Sequence, residues 1–369
     1  MAKRSNTHNE TVAMVFAGGV ALGAYQAGAY AALQKSGGPA PDWLAGSSIG
    51  AVNAAIVAGN APERRVERLR AFWEAAAVGT VLPFLPSWVS GHGGWRHAHN
   101  WLSALRIRLL GRPGFFRPRL PGLGSETAPS VYDLRPFRRR LEEFIDFGRL
   151  NGGAPRLTVV TTDIETGDAV IFDTGRGDRI APEHLLATCG FLPDFPAIEI
   201  GGRLLGDGGL VANAPVHTVL LGKRTDLLCF VLDLFARDSR RPRSLEAAAA
   251  RQWDLILANQ THWNLEACRR EYEFRTELGR LAARLPPDLR QDLDIAALDG
   301  ATSTVRVLFL SYHAPPDEAG AERMYDFSRR TLMDRWEVGG LDMAEALRVL
   351  ATESAGERKP GLDIRAIRR

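Results

Sequence analysis

The chain has 369 residues, 45% of them hydrophobic and 24% charged, with a formal net charge of +3. That composition excludes a disordered or collagen-like chain and fits one large globular domain with an extension, or two domains. Cys189, Cys229 and Cys268 stand far apart with no CxxC pair, which excludes a disulfide framework and a thiolate zinc site and predicts reduced thiols in a cytoplasmic protein. The polar start MAKRSNTHNE reads as no signal peptide, and no apolar run reaches the roughly 18 residues of a membrane-spanning helix.

Residues 11–17, TVAMVFA, form an apolar run ending at Gly18-Gly19, which predicts a buried strand of a parallel sheet. Residues 24–35 predict a helix stopped by Ser36-Gly37-Gly38-Pro39, residues 42–46 a short strand, and residues 49–58 a second helix. This strand, glycine turn, helix alternation predicts an α/β fold with a mostly parallel central sheet and helices on both faces. A helix is expected at 62–78, with Val66, Leu69, Phe72 and Trp73 at helical spacing, and another at 131–147. Residues 156–173 predict a hairpin turning at Glu165-Thr166-Gly167-Asp168, and 183–211 a short helix, a proline-rich loop and two short strands. Residues 227–235 and 304–312 read as further strands. Helices are expected at 244–285, 319–336 and 341–354, followed by a polar tail. The composition shift at 237–243 suggests a boundary between a catalytic domain, 10–235, and a mainly helical C-terminal extension, 240–355.

The stretch Gly46-Ser47-Ser48-Ile49-Gly50 fits GxSxG only with Ser48 at its centre. A serine on a sharp strand-to-helix turn takes strained backbone angles, its flanking residues must be small, and the following helix aims its first amides at developing negative charge. The turn Gly18-Gly19-Val20-Ala21-Leu22-Gly23 lets backbone amides approach a phosphate or an oxyanion. It lacks the Gly-Lys-Ser/Thr of a P-loop. In a parallel sheet both turns leave the carboxyl ends of their strands and converge on one crevice. Asp207 stands between Gly206 and Gly208-Gly209, in a pattern that also suits a simple hairpin turn, and Asn213 and Pro215 follow.

Together Gly18 to Gly23, Gly46 to Gly50 and Asp207 to Gly209 resemble the patatin-like phospholipase family in order and context, over roughly residues 10–235. Residues 240–355 look like the helical extension of one bacterial branch of that family. The resemblance implies a lipid acyl hydrolase with a serine–aspartate dyad. Ser48 would be the nucleophile, Asp207 the base, and the amides of Gly18, Gly19 and Val20 the oxyanion hole. Family members commonly carry a third glycine and an Arg or Lys in the first turn, where this chain has Val20 and Leu22. Alternatives are a storage-polyester or short-ester hydrolase, a Ser-His-Asp triad with His217 as its best histidine, and a non-catalytic lipid- or phosphate-binding regulator.

Between Ala75 and Ser125 there is no Asp or Glu, while arginines alternate with aromatic residues. This stretch, 79–125, reads as a lid or insertion. Its Trp88, Trp95, Trp101, Arg106 and Arg108 are expected to meet substrate or a lipid surface, which implies peripheral attachment to membrane or lipid bodies. The competing reading is aromatic packing on the core with arginines facing water. Nucleic acid is not the expected partner. His92, His97 and His99 cluster without a nearby carboxylate or cysteine, so neither a metal nor a cofactor is expected.

Overall fold

The computed structural model describes residues 10–79, 93–119, 130–221, 226–286, 303–315, 318, 320–353 and 361–367. The chain opens with β1 (Thr11–Phe16), α1 (Ala24–Lys35), β2 (Trp43–Ser47), α2 (Ile49–Ala58) and α3 (Arg65–Ala76). Then come α4 (Gly93–Leu110), the paired two-residue strands β3 (Arg117–Pro118) and β4 (Tyr132–Asp133), α5 (Arg135–Phe144) and α6 (Phe147–Leu150). The hairpin β5 (Arg156–Asp163) and β6 (Ala169–Asp173) precedes α7 (Pro182–Thr188), β7 (Ile198–Ile200) and β8 (Arg203–Asp207). The remainder is α8 (Val216–Leu220), β9 (Leu227–Asp233), α9 (Leu245–Ala282), β10 (Thr304–Ser311), α10 (Arg329–Glu353) and β11 (Gly361–Ile367).

The central sheet runs β11-β10-β9-β1-β2-β5-β8-β7, with β6 also pairing β5. From β11 to β5 every neighbouring pair is parallel, whereas β6, β7 and β8 run antiparallel to their neighbours. β1 shows why this is a three-layer fold. Met14 and Phe16 belong to one apolar cluster with α1, α2 and α3, while Ala13 and Val15 belong to another with α8 and α9. Alternating side chains are therefore buried on both faces, as a strand covered on both sides requires. α9 lies on the second face through Leu257, Thr261, Leu265, Cys268 and Tyr272, one stripe at steps of three and four.

Two expectations for the C-terminal part are corrected. The break expected between 336 and 341 does not occur: α10 runs unbroken through Gly339-Gly340. Gly339 is a packing glycine, since a Cβ there would lie 1.9 Å from the Tyr25 carbonyl oxygen, and one on Gly28 would lie 1.9 Å from that of Trp336. The two helices thus touch backbone to backbone. The expected polar tail is instead the edge strand β11, paired in parallel with β10. Leu362 and Ile364 face the core while Asp363 and Arg365 alternate with them, and that alternation lowers the hydropathy of the segment. Residues 240–355 are thus mainly helical but supply a strand of the same sheet, and α9 forms part of the wall of the site described next.

Candidate active site

β1 and β2 are parallel neighbours, and the turns at their carboxyl ends lie side by side. Ser48, the residue between β2 and α2, has φ 53° and ψ −133°, a left-handed conformation rare for a residue with a Cβ. The flanking glycines make this turn possible. A Cβ on Gly46 would lie 2.6 Å from the Ala51 nitrogen, and one on Gly50 2.2 Å from the Phe16 carbonyl oxygen. Ser48 occupies the N-cap position of α2, yet its hydroxyl makes no capping bond. It faces the Asp207 carboxylate, whose ionised form it favours, and lies beside the Cys189 thiol. The Ser48 N–H donates to Thr188 Oγ1 (2.9 Å), whose hydroxyl donates to the Val160 carbonyl (2.5 Å). Ser47 is fully buried and donates to the Ala212 carbonyl at 2.8 Å, a structural role.

Asp207 ends β8, where the antiparallel pairing with β5 brings it beside the elbow. It is 2% exposed, its Oδ1 accepts from the Gly209 N–H at 2.6 Å, and its carbonyl accepts from Thr162 Oγ1 at 2.7 Å. Burial pushes its carboxyl pKa up to about 7, outweighing the Ser48 hydroxyl and the Gly209 N–H, which favour the ionised form. The glycines around it allow close approach: a Cβ on Gly208 would lie 2.2 Å from the Val160 carbonyl oxygen. The Cys189 thiol is pushed well up by burial and by Asp207, so it stays protonated.

The glycine turn is clamped from behind. Gln26 Nε2 donates to the carbonyls of Ala17 (2.8 Å) and Leu232 (3.1 Å). Asn53 Nδ2 donates to the Gly23 carbonyl (2.9 Å) and Gln26 Oε1 (3.1 Å), and Asn53 Oδ1 accepts from Trp73 Nε1 (3.1 Å). Val20 is held at φ 50°, an uncommon state for a β-branched residue. One expectation is corrected: the Gly18 N–H donates to the Asn213 carbonyl at 3.0 Å and is not free for a substrate oxygen. Gly19 and Val20 line the cavity beside Ser48.

That cavity has a volume of about 360 Å³, within the usual range for small-molecule sites. Ser48 and Asp207 lie in its wall, and aromatic side chains from six segments form much of the rest, among them Phe72, Phe115, Phe137, Phe191, Trp253 and Tyr325. The C-terminal residues Trp253, Leu257 and Tyr325 carried no local pattern marking them as site residues. Thr188 and Cys189 likewise had no spacing signal. No histidine lines the cavity among the described residues; His217 sits on α8, its pKa lowered by burial.

The basic, aromatic stretch divides between several tasks. Trp88 and His92 lie outside the described residues, and Trp95 falls on α4. Trp101 and Arg106 are exposed on α4, together with Leu102, Leu109 and Leu110. Arg108 lines the cavity, pairs with Glu322 at 3.1 Å and stacks over Tyr325 with 5.1 Å to the ring centroid. Arg112 donates to the carbonyls of Ala75 (2.6 Å), Ala76 (2.8 Å) and Ala77 (2.9 Å), closing the end of α3. Phe115 and Phe116 are buried in the aromatic wall. His97 lies between the Glu318 carbonyl (2.7 Å) and Glu246 (3.2 Å). Among the described residues, no helix is long and apolar enough to cross a membrane.

A strained serine between strand and helix thus stands beside a buried carboxylate on a mostly parallel α/β sheet. Comparison with known proteins identifies the family. A family model described as patatin-like phospholipase matches residues 14–220, and one described as patatin phospholipase matches residues 257–359. The chain belongs to the patatin-like phospholipase family, a family of lipid ester hydrolases. No match was found among curated proteins. Solved structures similar to this chain include VipD from Legionella pneumophila, at 12% identity and a TM-score of 0.40, with 94% of this chain and 67% of that one covered. Another is the type III effector protein ExoU, at 14% identity and a TM-score of 0.27, with 90% of this chain covered. The chain spans about half of the ExoU chain, 54%.

Proposed function

We propose that this protein is a serine lipid acyl hydrolase that cleaves carboxylic ester bonds through a Ser48–Asp207 dyad and an acyl-enzyme. The observation that carries the reading is the strained Ser48, which shares the wall of one apolar cavity with the buried Asp207. Asp207 takes the Ser48 proton as the Oγ–carbon bond forms and the carbonyl π pair moves onto oxygen. Collapse of that intermediate expels the alcohol, which leaves with the proton. Asp207 then takes a proton from water, the water oxygen bonds to the acyl carbon, and Ser48 leaves with the proton. With a pKa of about 7, Asp207 is a far better base near neutral pH than an ordinary carboxylate.

The oxyanion falls to the amides of Gly19 and Val20, with help from the first turn of α2; each donor is worth on the order of 3 kcal/mol. The aromatic cavity takes the acyl chain. Residues 10–235 carry the dyad, and 240–355 act as an extension that completes the wall. The substrate is a phospholipid or related acyl ester presented at a surface, met peripherally through α4, whose Trp101, Leu102, Leu109 and Leu110 are exposed beside Arg106. The three buried, unpaired cysteines suit a reducing, cytoplasmic setting. The test is release of fatty acid from phospholipid vesicles by the parent chain and by Ser48→Ala. Activity in the parent and none in the variant supports the reading; equal release by both overturns it. Co-sedimentation with anionic but not neutral vesicles is expected, and binding to neither removes the surface contact.

A further inference from the structure

A second cavity, of about 1050 Å³, shares no lining residue with the cavity beside Ser48. Its wall is built from the segment after β9, the segment after β10, the start of α9 and His97 of α4. β9 and β10 are parallel neighbours, so it opens at the carboxyl ends of these strands, the edge at which an open α/β sheet takes ligands. β9 is also the parallel neighbour of β1, so this is the edge that carries Ser48. Two segments serve both cavities. Trp253 and Tyr325 line the first, and the ion-paired Asp254 and Arg323 line the second.

The charges in this second wall are not all matched. Each of its carboxylates has a basic neighbour: Asp254 pairs with Arg323, Glu318 with Arg335 (3.0 Å) and Glu246 with His97 (3.2 Å), and Asp238 stands 3.7 Å from His313. Glu246 turns its other oxygen, Oε1, against Gly320, where a Cβ would lie 2.4 Å from it. Arg251 donates to the carbonyls of Ala236 (2.7 Å) and Arg237. Arg240, Arg241 and Arg243 also line the cavity, and among the described residues none of the three has an ion pair or a hydrogen bond. Unmatched charge of one sign beside a hollow focuses the field there and draws in counter-ions. Guanidinium groups suit phosphate in particular, because their forked N–H donors match its oxygens.

We propose that this cavity is a binding site for a phosphate-bearing group, held by Arg240, Arg241 and Arg243. The phosphate is that of a lipid headgroup or of a soluble molecule, which present the same oxygens to the arginines. A lipid held there would keep the Ser48 edge of the sheet against the surface. The site goes beyond the Ser48–Asp207 reading and does not depend on it.

The experiment uses the full chain with Ser48→Ala, which separates binding from turnover, and the same chain with Arg240→Gln, Arg241→Gln and Arg243→Gln. A control carries Arg139→Gln, Arg176→Gln and Arg179→Gln, which removes equal charge from exposed arginines elsewhere. Urea unfolding first checks that all three chains are folded; the cavity arginines are exposed and unpaired, so the midpoints should agree. One arm titrates pyrophosphate by calorimetry. The other co-sediments the chains with vesicles of phosphatidylcholine, with and without phosphatidic acid. The Ser48→Ala chain and the control should bind alike in at least one arm, and more weakly as salt rises. In that arm the cavity variant should bind about tenfold more weakly or worse. Loss confined to the vesicle arm identifies a lipid headgroup, loss confined to pyrophosphate a soluble phosphate, and loss in both shows that either source is accepted. Binding of neither probe by the Ser48→Ala chain overturns the proposal. So does a cavity variant that binds no more weakly than the control.

Discussion

Asp207→Asn removes the charge from the most buried carboxylate of the site while keeping its shape. The structure raises this carboxyl from an ordinary value of 3.8 to about 7, with burial as the leading cause. Between those values the folded chain holds a proton that the unfolded chain has released, so parent stability falls as pH rises through this window. The full penalty, on the order of 4 kcal/mol, is reached above pH 7. Asparagine does not titrate, so the variant escapes it. Allowing for the new amide, whose N–H groups must find acceptors, the variant should be more stable at pH 8 by about 2–4 kcal/mol, and the gain should shrink by about 2–3 kcal/mol at pH 5. Asp233 is also raised to about 7 by burial, so the parent's own pH slope is shared. The difference between the two chains isolates Asp207. Urea unfolding at the two pH values measures it, and hydrolysis on the same samples should fall about 10²-fold or more. A variant no more stable than the parent at pH 8, or a gain equal at both pH values, would refute the claim that burial dominates at Asp207.

Further outcomes follow from the same contacts. Thr188→Val removes the acceptor of the Ser48 N–H at nearly constant volume; it should cost about 1–3 kcal/mol in urea unfolding and lower kcat more than it changes KM. Gly339→Ala places a methyl where the Tyr25 carbonyl stands, so α1 and α10 must separate; a loss of about 1–3 kcal/mol or more is expected, whereas an ordinary mid-helix Gly→Ala would stabilise. Arg335 is fully buried, with Nε and Nη2 on Glu318 at 3.1 and 3.0 Å; Arg335→Ala leaves that carboxylate uncompensated and should cost about 3–5 kcal/mol in the same assay.

Much of the site was legible because its chemistry is local. The Gly46–Gly50 elbow and the Gly206–Gly209 turn each compress a candidate catalytic side chain between residues that must lack a Cβ, and such constraints leave a mark within five residues. The strand β1 was legible because covering both faces demands an unbroken apolar run. What was hidden depends on partners distant in the chain. The Gly18 amide looked free until the fold laid the Asn213 carbonyl against it. Gly339-Gly340 looked like a helix break because nothing in the segment shows that α1 will press on it. β11 looked like a tail because half of its residues are charged or small and its partner β10 lies across a long connection. The cavity wall was hidden for the same reason: Phe72, Trp253 and Tyr325 are ordinary apolar positions in three separate helical segments until the sheet brings them together.

The central claim is that Ser48 is an activated nucleophile, and intact mass after fluorophosphonate treatment tests it most directly. The account predicts a single adduct on the parent, none on Ser48→Ala, and strongly slowed labelling of Asp207→Asn. A folded parent that takes no adduct, or a Ser48→Ala chain that still takes one, would contradict it.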